Sequence, residues 1–236
     1  MSSWPGAVAM RPNIESSVVG ERWATFDCYG TLIDWEGGIR SAVQDLWPQV
    51  DPQVMLEHYH AIEPRVQGKG DLSYREVMAR SLTAVAAIER VDLEPSKREY
   101  LADSLPGWHA FEEVPGALGE LRERGWKLAI LSNTDPDLLA ASVRTLGVPF
   151  ELSITAAEAG SYKPAPGHWN RFRELAGPVD RHVHVGASLF HDVAPAAQMG
   201  LPMVWINRLG EVSDLPRAAE LPDLAGLAGA VEEAAG

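Results

Sequence analysis

A single cysteine, Cys28, is all that 236 residues provide, so no disulfide can close within the chain and a reducing compartment is expected. Long apolar runs are also missing. Residues 1–19 contain no stretch of the length a signal peptide or membrane span needs, which makes the cytoplasm the expected location and a membrane an unexpected partner. Positive charge is scarce: 20 Lys and Arg stand against 33 Asp and Glu, a formal net charge of −13. That field opposes the approach of a phosphate backbone or an anionic lipid surface, which argues against nucleic acid as a partner. A site for a small anion would need local cations and backbone dipoles. Metal signatures are absent as well. His182, His184 and His191 have neither cysteines nor an HExxH pattern beside them, and the expectation is no metal and no cofactor.

What is present suits one globular unit with a smaller insertion, since 46% hydrophobic and 22% charged residues is an ordinary folded composition and the length is short for two full domains. Arg22-Trp23-Ala24-Thr25-Phe26 is a short apolar run that ends at Asp27-Cys28-Tyr29-Gly30, a strand delivering Asp27 to its carboxyl end before a glycine-bearing turn. A loose leader precedes it. From Pro115 the pattern alternates: a helix over 115–124 stopped by Gly125, a strand over 126–131, then a helix opened by Asp135-Pro136 and closed by Gly147, with Asp135 expected to cap free amides. Further strands are expected at 152–155, 182–185 and 203–207, with helices around 166–176 and 193–199. Such βαβ alternation predicts a parallel sheet covered on both faces, with ligands beyond the carboxyl ends of its strands.

Between Trp35 and Trp108 the periodicity is helical only, over 39–46, 54–66, 74–88 and 96–104, with Pro48, Pro52, Gly68, Gly70 and Pro95 as punctuation and Pro106-Gly107 as the end. The expected organisation is an α/β core from 1–34 and 109–236 and a helical cap over 35–108. After Asp214 an Ala-rich tail should end in one short amphipathic helix.

Four polar groups fall at or just after expected strand ends: Asp27, Ser132 with Asn133, Lys163, and Asp192. Each alone has a bland reading as a turn aspartate, a loop, a solvated lysine or a helix cap. In a parallel sheet those ends converge. A carboxylate nucleophile, neutral donors, a lysine that keeps the carboxylate ionised and a second carboxylate would then share one crevice. Cys28 should point away from it as packing. Trp35, Trp47, Trp108 and Trp169 are read as core before pocket lining, and His58 and His60 as structural, because residues two apart do not share a helix face.

The order of these segments resembles the four motifs of the haloacid dehalogenase superfamily: FDCYGTLID at 26–34, LSNTD at 131–135, YKP at 162–164 and GASLFHD at 186–192. WINR at 205–208, and the place of the helical insertion, are similar to the L-2-haloacid dehalogenase (type II) branch. The resemblance covers almost the whole chain and implies a HAD-like Rossmannoid core with a helical cap. It implies Asp27 as nucleophile, Thr31 supporting its loop, Ser132 and Asn133 binding substrate, Lys163 balancing charge, and Asp192 orienting or activating the hydrolytic water. Superfamily phosphatases carry a second aspartate two positions after the nucleophile, where this chain has Tyr29, and a Mg²⁺-binding aspartate after the glycine of the fourth motif, where it has Ala187. Tyr29 is accordingly grouped with the substrate contacts, and metal-dependent phosphoryl transfer is disfavoured.

The chain departs from the branch in three places. The serine and asparagine that position water correspond to Ala187 and Leu189, leaving Ser188 or His191 to substitute, with His191 as candidate general base. The tyrosine six residues after the lysine corresponds to Trp169, expected to contact substrate. The cap arginine has no counterpart, and His58 or His60 is nearest. The expected activity is a metal-independent 2-haloacid dehalogenase-like hydrolysis of a small 2-substituted carboxylic acid through an aspartyl ester. Alternatives are opening of a strained small-ring carboxylate, a Mg²⁺-dependent small-molecule phosphatase, and a binding module without turnover. The partner is a small-molecule substrate, and the branch's habit of dimerising implies a homodimer.

Overall fold

The computed structural model describes residues 20–68 and 72–236. The leader and Gly70 lie outside the described residues. Five apolar segments and one short polar one form a six-stranded sheet: β1 (Glu21–Phe26), β2 (Lys127–Ser132), β3 (Leu152–Thr155), β4 (Val179–Gly186), β5 (Met203–Ile206) and β6 (Ala219–Leu221), in the order β3-β2-β1-β4-β5-β6. Every pair is parallel, so crossover segments must return the chain between strands, and most carry a helix. They are α5 (Val114–Glu123), α6 (Pro136–Leu146), α7 (Ala156–Ala159), α8 (Gly167–Ala176) and α9 (Ala194–Met199), with α10 (Leu227–Ala235) after β6. Burial on both faces explains the continuous apolar runs: Ala24, Phe26, Leu128, Ile130, Val183 and Val185 are fully buried. The chain runs from β1 to β2 on one side and from β4 to β5 on the other, which opens a crevice at the carboxyl ends of β1 and β4.

Between β1 and α5 lie α1 (Trp35–Leu46), α2 (Pro52–Gln67), α3 (Tyr74–Glu89) and α4 (Tyr100–Ser104). The chain leaves and re-enters through a paired neck: Ile33 bridges Ala110, Asp34 N donates to His109 O at 2.9 Å, and Phe111 N donates to Leu32 O at 3.1 Å. Met55, Tyr59, Val77 and Leu82 are buried in a cluster continuous with Phe26, Leu32 and Ile33 of the sheet side. Gly38 allows the closest approach there, because a Cβ would lie 2.2 Å from Trp108 Cδ2. Among the described residues no helix is long and apolar enough to cross a membrane.

Four local expectations change. The helix over 96–104 is broken into a 3₁₀ turn at Pro95–Lys97 and the short α4, since Lys97-Arg98-Glu99 interrupts any apolar stripe and only Leu101 and Ala102 bury on α4. The strand over 182–185 extends back to Val179. β6, only three half-exposed residues, has no alternation to signal it. Asp135 makes no side-chain cap on its own helix. It accepts instead from Tyr74 N at 3.0 Å and Arg75 N at 2.9 Å, the free amides that open α3, and so ties the inserted helices to the core. Asp135→Ala should therefore lower stability by about 1–2 kcal/mol, measured by urea denaturation; an unchanged midpoint would show that the two bonds contribute nothing.

Candidate active site

Asp27 follows β1, Ser132 ends β2, and Asp192 lies just beyond β4 in one wide π-helical turn, Leu189–Val193. Lys163 reaches all of this from the loop after α7. Its ammonium donates to Asp27 Oδ1 at 2.8 Å and to Asp192 Oδ1 at 2.7 Å, with side-chain exposures of 1% for the lysine, 12% for Asp27 and 0% for Asp192. Thr31 Oγ1 donates to Asp27 Oδ2 at 2.8 Å and accepts from Ala187 N at 2.9 Å, which locks the turn after β1 to the turn after β4. Gly186 is required at this point: a Cβ would lie 2.7 Å from Asp192 Cγ.

One ammonium serves two buried carboxylates, and it does not serve them equally. Burial and the neighbouring Asp192 push the Asp27 carboxyl above its ordinary range, against the pull of Lys163 and Thr31. Burial also pushes on Asp192, but Lys163 and His184 together outweigh it and hold that carboxyl well below the usual range. Burial lowers the lysine, and the two carboxylates more than restore it, so it stays a cation. His184 Nε2 lies 3.3 Å from Asp192 Oδ1. With that nitrogen donating, Nδ1 accepts from the Thr25 hydroxyl at 2.9 Å, and Thr25 Oγ1 accepts from His182 Nε2 at 2.9 Å.

These groups form the floor of a cavity of about 700 Å³. Ser132 Oγ and His191 Nε2 are buried in its lining, with no hydrogen-bond partner among the described residues. His191 Nδ1 meets Ser188 Oγ at 3.1 Å, and Ser188 Oγ accepts from His191 N at 3.1 Å. Ser188, not Asp192, thus caps this turn. Burial lowers the His191 imidazole and keeps it neutral near pH 7. The opposite wall comes from α1, α2 and α3 through Trp35, Arg40, His60, Glu63 and Tyr74.

The family model for haloacid dehalogenase-like hydrolases matches residues 22–200. The chain belongs to this hydrolase family. It is 32% identical to haloacetate dehalogenase H-2 of Moraxella sp. (strain B) over 80% of its own length and 87% of the relative's. It is 30% identical to the (S)-2-haloacid dehalogenase of Pseudomonas sp. (strain YL), over 79% and 83%. The solved L-2-haloacid dehalogenase RSc1362 shares the fold at a TM-score of 0.79 and 25% identity, over 90% of this chain and 99% of that one. These relatives agree with the type II branch that the motifs resemble.

Within this family member, Trp169 lies away from the cavity, and Asn133 lines it while holding a main chain. Trp169 is fully buried and absent from the cavity; it packs with Trp23 and Phe172 behind the sheet and stands edge-on to His184 at 5.4 Å, so it touches the ring that supports Asp192 and not a ligand. Asn133 lines the cavity, but its amide clamps a main chain: Oδ1 accepts from Lys163 N at 2.6 Å and Nδ2 donates to Lys163 O at 3.0 Å. It positions the lysine. Tyr29 presents its ring to the cavity while its hydroxyl pairs with Ser142 Oγ at 2.9 Å. Of Trp35, Trp47, Trp108 and Trp169, only Trp35 lines the cavity, stacked on His60 at 5.1 Å. His58 Nδ1 instead lies 2.8 Å from Glu89 Oε1. Cys28 is buried.

Arg40 and Glu63 were not singled out by sequence reasoning, and Arg208 entered it only as the end of the WINR segment. Glu63 had a signal, because Leu56, Tyr59, Glu63 and Val66 recur at helical spacing and all four are buried on one face of α2. Burial pushes its carboxyl up to about 7, against hydrogen bonds from Tyr74 and Gln67, and the other titratable groups facing it are Tyr59 and Tyr162. A folded-state value above the unfolded one means that folding takes up a proton between roughly pH 4.5 and 7, so stability is lost as pH rises through that window. Glu63→Gln removes the loss. Its Tm should exceed wild type at pH 8 and converge with it near pH 5, in paired thermal melts; equal melts at pH 8 would refute the burial effect.

Proposed function

We propose that this hydrolase displaces a leaving group from the α-carbon of a small 2-substituted carboxylic acid, without a metal, through an ester on Asp27. The observation that carries the reading is the Asp27 carboxylate at the cavity floor, with Oδ1 held by Lys163 and Oδ2 by Thr31. The relatives are dehalogenases of haloacetate and of (S)-2-haloacids, which favours halide as the leaving group.

One Asp27 oxygen attacks the α-carbon as the bond to the leaving group breaks, and the bonding pair departs with the halide. Ser132 belongs to the cavity lining, its buried hydroxyl has no partner among the described residues, and on this reading it is the neutral donor to the substrate carboxylate. Water then attacks the Asp27 carbonyl carbon, and the ester bond opens to give a 2-hydroxy acid and a carboxylate carrying one solvent oxygen. His191 takes the water's proton: with Nδ1–H donating to Ser188, Nε2 holds the free lone pair, and the neutral ring accepts at neutral pH. Asp192, firmly ionised, steadies Lys163 and the imidazolium that forms.

A Mg²⁺-dependent phosphatase is poorly matched by this donor set. Asp27 and Asp192 both direct an oxygen at a cation already present, Lys163, and position 187 offers a methyl group. The single cysteine and the acidic composition favour a cytoplasmic enzyme acting on a small molecule, and the resemblance to its branch implies a homodimer.

Single turnover of a 2-chloro acid in ¹⁸O-water should place label in Asp27, read by peptide mass spectrometry, with halide release indifferent to chelator and absent in Asp27→Asn. Label found only in the product would reject the ester. His191→Ala should release halide in the first turnover and then stall, with ester hydrolysis slowed about 10²–10⁴-fold; hydrolysis at the wild-type rate would remove His191 from the mechanism.

A further inference from the structure

The wall of the cavity opposite Asp27 carries an acid with which no cation of the described residues pairs. Glu63 is 7% exposed and lines the cavity from α2. Its hydrogen-bond partner is neutral, Gln67 Nε2 at 3.0 Å, and the nearby Tyr74 hydroxyl accepts from Trp35 Nε1 at 3.1 Å. Among the described residues, the lysine and arginines that reach the cavity are engaged elsewhere. Lys163 is held between Asp27 and Asp192, Arg40 pairs with Glu36 at 3.2 Å, and Arg208 pairs with Glu113 at 2.6 Å.

A buried acid with no counter-charge weakens the fold, and a better-packed neutral residue would remove that burden. What the arrangement offers in exchange is recognition. Trp35, Tyr29 and Tyr74 surround this end of the cavity with aromatic rings, of which Tyr29 and Tyr74 stack at 6.4 Å. Ring faces beside a carboxyl suit a cation, which gains from both. At about 700 Å³ the cavity also exceeds what a haloacetate needs.

We propose that Glu63 is the recognition group for an ammonium arm on the substrate, so that the preferred substrates are 2-substituted carboxylic acids that also bear an amino group. The proposal rests on the reading of Asp27 as nucleophile, and it adds the far end of the molecule. The acid's α-carbon lies at the floor, and its amine reaches the α2 wall, where it supplies the charge that Glu63 lacks.

The test pairs ligands that differ only in the amine. Calorimetric titration of the wild-type protein with 4-aminobutanoate against butanoate, and 6-aminohexanoate against hexanoate, probes the wall without turnover. At least one aminated member should bind about tenfold or more tightly, the scale of one charged hydrogen bond, and the advantage should disappear in Glu63→Gln. Equal affinities in both pairs, or an advantage that survives in the variant, would overturn the proposal; thermal melts of the same samples separate lost recognition from lost folding. Halide release from 6-amino-2-chlorohexanoate and 2-chlorohexanoate supplies the second arm. The amine should lower KM, and Glu63→Gln should raise KM for the aminated acid alone, with kcat little changed. A binding preference with no halide released from either acid would uphold the Glu63 site and remove the ester reading. Release from both at equal KM would do the reverse.

Discussion

The ammonium of Lys163 sits between two carboxylates that water barely reaches, 2.8 Å from one and 2.7 Å from the other. Without it, two like charges would face each other across the gap between β1 and β4, and one would have to take up a proton. The lysine is itself held from behind, since Asn133 grips both its N–H and its carbonyl. Because Asn133 follows β2, three neighbouring strand ends are bound into one unit: β2 through the amide clamp, β1 through Asp27, and β4 through Asp192. Removing the cation would therefore disturb the position of every polar group on the cavity floor as well as its charge.

The inserted helices are joined to that floor by polar contacts as well as packing. Asp135, two residues after Asn133, caps α3. Tyr162, the residue before the lysine, donates its hydroxyl to Leu72 O at 2.8 Å. Arg208 bonds Thr31 O at 2.9 Å and lies over the Phe111 ring, at the neck where the insertion returns. The same short segments that build the floor thus reach out to the opposite wall. A ligand held between them would feel a core that supplies the reacting groups and a helical wall that supplies fit and charge.

Much of the floor was legible in the sequence because each strand is an apolar run cut off by a polar residue. Asp27 after Phe26, Ser132 after Leu131 and the loop of Lys163 fall at or beyond strand ends by pattern alone, and parallel alternation brings them together. The wall was less legible. Trp169 and Trp35 look alike in sequence, and only the direction of their helices decides that one supports His184 from behind the sheet while the other lines the cavity. Asp135 reads as the cap of the helix it precedes, since nothing local reveals that α3 arrives with free amides. Glu63 lay on the apolar stripe of α2, yet a lone acid there is easily read as a solvated residue.

The two carboxylates are chemically distinct, and their surroundings assign their parts. Asp192 receives Lys163 at 2.7 Å, His184 at 3.3 Å and Ser188 N at 3.3 Å; so much donation holds it ionised and makes it a weak base. Asp27 shares the same lysine but has only Thr31 besides, and burial keeps it the more basic of the pair. On the reading proposed above, basicity belongs on the oxygen that must form a bond to carbon, and Asp27 is the one nearer the open cavity. An Asp192 so heavily stabilised has little drive to take a proton from water, whereas the neutral His191 ring, kept so by burial, has a free nitrogen and a hydroxyl to fix its tautomer. On that reading the Ser188–His191 pair answers for the departures at Ala187 and Leu189 in the same turn, and proton transfer falls to an imidazole instead of a carboxylate.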